Sequence, residues 1–79
     1  MELDEEKIDQ AVLALLWLGL HDKYRAWKSF DWDATDRLSA KGFIDDPRGK
    51  AKSVAFTDKG LKESERPFRA MFCKAPPTP

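Results

Sequence analysis

From Ala11 to Leu20 the chain sets ten consecutive residues that are all apolar or glycine, and no other segment limits the fold so strongly. The run is about half of the roughly 20 residues that a bilayer-spanning helix needs. It is therefore a helix of a folded core, not a membrane span. Together with the residues before it, the run carries two apolar stripes. Ile8, Ala11, Val12, Leu15 and Leu18 or Gly19 form one, and Leu13, Leu16, Trp17 and Leu20 form a second about 100° round the axis. A chain of 79 residues folds as one domain and buries only about 60% of the surface that its unfolded form exposes. Two arrangements satisfy the pattern. Either the remaining elements wrap the helix, or its outer stripe (Leu13, Trp17, Leu20) joins Phe68, Met71 and Phe72 of the last helix in a homodimer interface.

The other elements are marked by their ends. Asp4 stands where it caps the first helix, with Glu5 and Glu6 in the first turn. A short second helix is expected from Asp22 or Lys23 to Ser29, turning Tyr24 and Trp27 inward. Asp31 caps a third, Trp32 to Lys41, which Gly42 ends in a left-handed conformation. Residues 43–57 read as a β-hairpin, with Gly49 at positive φ in its turn and Val54 and Phe56 facing the core. Thr57 caps the last helix, in which Pro67 predicts a kink or restart near Arg66. The domain covers residues 1–74, and 75–79, with three prolines, are expected to be a disordered tail.

Composition removes several kinds of chemistry. Cys73 and His21 are each the single residue of their type, so neither a disulfide nor a Cys/His zinc cage can form within one chain. No catalytic dyad, phosphate-cradling glycine loop or calcium-binding carboxylate set is present, and no enzyme activity, metal, cofactor or small-molecule substrate is expected. Acidic residues follow Met1 where a secretory signal would carry basic ones, and one free cysteine suits a reducing compartment, so a cytoplasmic protein is expected.

Two fragments carry a resemblance. Leu38-Ser39-Ala40-Lys41-Gly42-Phe43-Ile44 resembles the L-x-x-K-G-[LF]-I that ends the recognition helix of winged-helix regulators, and Val54-Ala55-Phe56-Thr57-Asp58-Lys59-Gly60 resembles their V-x-L-T-x-x-G before the last helix. The pair lies on either side of one hairpin. This implies a winged helix-turn-helix fold, mainly α with a β-hairpin: three helices, a two-stranded wing and a C-terminal helix. On that resemblance the third helix would read the major groove of double-stranded DNA and Pro47 to Lys52 would form the wing tip. The whole chain, including Lys7-Ile8-Asp9, Phe30-Asp31-Trp32-Asp33 and Gly49-Lys50-Ala51-Lys52-Ser53-Val54, is also similar to a family of short bacterial proteins of unknown function.

The net charge is zero, with 14 basic and 14 acidic residues, so only the distribution of charge speaks for a nucleic-acid partner. The candidate phosphate contacts are Lys23, Arg25 and Lys28 of the second helix, Arg37 of the third, and Arg48, Lys50 and Lys52 of the wing. Asp31, Asp33 and Asp36 oppose them at the start of the third helix. One continuous positive face would favour a DNA-binding regulator; interruption by those acids would favour a protein-protein module. Trp17, Trp27 and Trp32 are expected in the core or an interface. An exposed Trp27 would instead point to a nucleic-acid stacking surface.

Overall fold

The computed structural model describes residues 1–49 and 51–74. Helix α1 spans Glu5–Leu18 and starts on the Asp4 carboxylate, which accepts the Lys7 N–H at 3.2 Å. Val12, Leu13, Ala14 and Leu16 are buried along it. They are covered from within the chain, because helix α3 (Asp58–Phe72) packs along α1 and helix α2 (Trp32–Ala40) crosses it. Leu13, expected in an outer stripe, is 2% exposed and belongs to the core. The wrapped arrangement accounts for both stripes over most of α1.

After α1 the expected second helix is absent. Leu20–His21 (β1) and Arg25–Trp27 (β2) form an antiparallel hairpin, with Leu20 opposite Ala26 and His21 opposite Arg25. The reason lies in the turn. Asp22 and Lys23 hold φ values of 48° and 70°, which a right-handed helix cannot accommodate. β2 then pairs antiparallel with β3 (Ser53–Ala55), giving a three-stranded sheet in the order β1-β2-β3. Ala26 and Val54 point inward and are buried against Leu16, Leu38, Ile44 and Phe56. Among the described residues there are thus three helices and a small antiparallel sheet, and α2 follows a β-hairpin, not a helix.

Asp31 caps α2 by accepting the Ala34 N–H at 3.1 Å. At the other end Gly42, at φ 81°, closes the helix: its N–H donates to the Ser39 carbonyl and the Phe43 N–H to that of Leu38, both at 3.0 Å. The segment after it makes less sheet than the hairpin expected over 43–57. Ile44 bridges Phe56, and Asp45 completes the edge of β3, donating its N–H to the Ala55 carbonyl at 2.9 Å and accepting the Ala55 N–H on its carboxylate at 3.0 Å. Gly49 does not adopt positive φ, so the turn does not depend on glycine there.

Thr57 joins three parts of the fold. Its hydroxyl donates to the Gly42 carbonyl at 2.6 Å and accepts the Gly60 N–H at 2.9 Å, while its own N–H donates to the Phe43 carbonyl at 3.0 Å. Thr57→Val keeps the shape and removes both hydroxyl bonds. It should lower unfolding stability by about 1–2 kcal/mol, read as a lower urea midpoint with an unchanged slope. From Thr57, α3 runs as one helix through Pro67, without the restart expected near Arg66, and Pro67 is buried.

Candidate nucleic-acid interface

The pleat sorts the sheet residues into two faces. With Ala26 and Val54 inward, Arg25, Trp27, Ser53 and Ala55 project outward, joined by His21 opposite Arg25. Arg25 is fixed there: its Nε donates to Ser53 Oγ at 2.8 Å and its Nη2 to the Ser53 carbonyl at 3.1 Å. His21 stacks on Trp27, with ring centroids 4.3 Å apart and planes 25° from parallel. The His21 Nδ1 lies 3.1 Å from the Gly19 carbonyl, to which it donates in the tautomer that carries the proton on Nδ1. Trp27 is nevertheless 58% exposed, and Tyr24, in the turn, is 49% exposed. The hairpin brings these rings into the open, where a helix would have turned Tyr24 and Trp27 inward.

The seven expected phosphate contacts divide by what already holds them. Arg37 is committed inside the molecule, its Nε 2.9 Å from both Asp9 carboxylate oxygens and its Nη1 3.2 Å from Glu5. Arg48 pairs with Asp36 at 2.8 Å, a contact that holds the Asp36 carboxyl below the ordinary carboxylate range. Lys28 has no acidic partner among the described residues, but its Nζ donates to the Pro47 and Gly49 carbonyls, each 2.6 Å away, and so pins that loop to the sheet. Arg25, on the outer face, is bonded to Ser53 and to no acid among the described residues. Lys23 and Lys52 are exposed and make no side-chain hydrogen bond or ion pair with the described residues. Lys50 lies outside the described residues.

These cations are not scattered. The Lys28 N–H donates to the Lys52 carbonyl at 3.1 Å, which joins the basic segment 20–28 to the basic segment 47–56. Among the described residues those two stretches hold five Lys and Arg residues and one acid, Asp22. The exposed side of α2 is of the opposite character, with Asp33 and Trp32, the latter 82% exposed. Beside it, a cleft of about 480 Å³ is lined by Lys28, Trp32, Thr35, Asp36, Pro47 and Arg48. Of the expected interface residues other than Leu13, Trp17 and Leu20 are half-buried, and Trp17 packs on Phe68 at 4.6 Å. Phe68 is half-buried, while Met71, Phe72 and the unforeseen Leu18 are 42, 46 and 63% exposed.

Asp9 escaped the sequence reading. It is 2% exposed and sits between α1 and α2, with Arg37 Nη2 at 2.8 Å and Lys41 Nζ at 3.1 Å. Burial pushes its carboxyl up, but the hydrogen bonds and charges of Arg37 and Lys41 outweigh this and hold it below its ordinary value. Its signal was spacing, since Asp9 precedes Val12, Leu13 and Leu16 at helical intervals and so falls in the buried stripe.

Residues 4–74 match the family model DUF6429, described as a domain of unknown function, and the chain belongs to this family. It is 58% identical over 74 residues to "Uncharacterized protein y4hR" of Sinorhizobium fredii (strain NBRC 101917 / NGR234), covering 94% of this chain and 100% of that protein. No solved structure matches. No helix among the described residues is long and apolar enough to cross a membrane.

Proposed function

We propose that this chain is a small nucleic-acid-binding protein that contacts phosphates through its sheet and the adjoining loop, not through α2. One observation carries the reading: the pairing of β2 with β3 gathers two basic, nearly acid-free segments on one side of a molecule whose net charge is zero. The order of α2, the Ile44–Phe56 bridge, β3 and α3 supports a relation to winged-helix proteins, with a hairpin in place of the first helix of the helix-turn-helix. In this reading α2 does not enter a groove. Its exposed Asp33 and the Arg48-bound Asp36 would repel phosphates, and Arg37 is withdrawn toward Asp9.

The test is a salt titration on mixed-sequence duplex DNA. Lys23→Ala and Lys52→Ala should each flatten the slope of log affinity against log salt by up to about 0.9, equally on all sequences. Arg48→Ala should change the slope less, because Asp36 already neutralises that guanidinium. Asp36→Asn should strengthen binding by freeing it. Lack of salt-sensitive association with the duplex and with single strands alike, even at about 50 mM salt, would sink the reading.

A second reading rests on the exposed Leu18, Met71 and Phe72 beside the Trp17–Phe68 contact. Glu65 and Arg69 flank Phe68 and Phe72 on α3. A second copy seated on these residues would cover them, so self-association would close this end of the molecule. Phe72→Glu should then abolish a dimer seen by light scattering.

A further inference from the structure

We infer that the outer face of the sheet is a stacking platform for single-stranded nucleic acid, with Trp27 and His21 as the surface that receives a base. The inference rests on the nucleic-acid reading above and assigns its ligand class and the residues that meet the bases. Three observations converge. Trp27 is held with its ring already paired on one side by His21, 4.3 Å away, yet 58% exposed. A lone exposed indole on a sheet costs solubility and adds nothing to this core, which the inward Ala26 and Val54 already fill. Its orientation is fixed before any ligand arrives, as stacking requires.

Charge surrounds the platform in the way that a single strand needs. Arg25, the neighbour of Trp27 on the same face, is locked by two bonds to Ser53 and offers a flat guanidinium for stacking or phosphate contact. Lys23 stands in the turn at the His21–Arg25 end, and Lys52 stands beyond the Trp27–Ser53 end. The three residues of β2 separate them by roughly 10 Å, a span that a short run of nucleotides bridges. A strand laid across the sheet therefore meets a cation, an aromatic pair and a second cation in turn. Duplex DNA cannot use this face fully, since its bases are stacked inside the helix and offer only their edges.

The face reads bases and phosphates rather than sugars. The Ser53 Oγ accepts from Arg25 Nε, and no contact is assigned to the sugar. Deoxyribose and ribose strands should bind alike.

The experiment uses the full chain, a thymidine oligonucleotide and a uridine oligonucleotide of about 12 residues each, and the same mixed-sequence duplex. The single strands should bind more tightly than the duplex at equal salt. Trp27→Ala should weaken single-strand affinity by about tenfold or more and leave the salt slope unchanged. Lys52→Ala should flatten the slope instead. Trp27→Phe should recover most of the loss, and circular dichroism of each variant should match the parent, because Trp27 is not part of the core. Intrinsic fluorescence of a Trp17→Phe, Trp32→Phe chain should be quenched on saturation.

Salt-sensitive duplex binding with no preference for single strands, and no loss in Trp27→Ala, would overturn the platform and leave the nucleic-acid reading standing. Failure to bind either form would overturn both. A preference of more than about tenfold for one sugar would contradict the assignment of the face.

Discussion

Alanine at position 60 should unfold the chain at a much lower temperature than glycine does. A Cβ built there would lie 1.8 Å from the Phe43 carbonyl oxygen and 2.7 Å from its carbon. Both are backbone atoms, and Phe43 is held by its bonds to Leu38 and Thr57, so it cannot step aside like the end of a flexible side chain. The first turn of α3 would have to lift away from the end of α2. The cost should be about 3 kcal/mol or more, which for a domain of this size lowers the melting temperature by roughly 12–24 °C. Gly49→Ala is the control: nothing lies within 4 Å of the added methyl and φ is not positive, so stability should hardly change. A Gly60→Ala chain that melts with the parent would mean that α3 does not approach Phe43 in this way.

Asp9→Asn should be the second most damaging of these changes. The carboxylate is buried between α1 and α2 and accepts from Arg37 and Lys41, so the neutral amide loses charge-assisted bonds and presents an N–H₂ group to two cations. A loss of about 2–3 kcal/mol follows. The effect is pH-dependent with a defined sign. The folded carboxyl titrates below its ordinary value of 3.8, so its contribution is complete above that value and fades as the pH falls through the lower folded one. Urea midpoints of parent and variant should therefore differ most at pH 5 and above, on the scale of ordinary carboxylate titration, and converge in stronger acid. A difference that stays constant down to about pH 2 would show that the Asp9 carboxylate does not draw its stability from these cations.

Helix ends were legible because capping is local. Asp4, Asp31, Thr57 and Gly42 each act on backbone groups a few residues away, and each performs the role that its type and position imply. The hairpin at Leu20–Trp27 was not legible. Its turn uses Asp22 and Lys23 at positive φ where glycine or asparagine would have announced it, and Lys23, Tyr24 and Trp27 recur at a helical spacing. What decides for strand is β3, about 28 residues further on, which no local pattern reveals. The same distance hid the Asp9–Arg37 pair, whose members are 28 residues apart. The candidate site was half legible for this reason: its cations could be read from composition, but their division into paired and available ones depends on contacts across the fold. Arg37 and Arg48 looked like Lys52 in the sequence and are held by carboxylates in the structure.

Asp45 has a role beyond the fold it completes. A β-sheet left open at its sides invites neighbouring molecules to add strands and polymerise. Along β3, Asp45 occupies both backbone groups of Ala55 by using its own N–H and its carboxylate, and so imitates one rung of a further strand while placing a charge there. On the opposite side β1 is two residues long, too short to template a growing ladder. The sheet can thus hold an aromatic, partly apolar face open to solvent while its margins give other chains almost no backbone to zip onto.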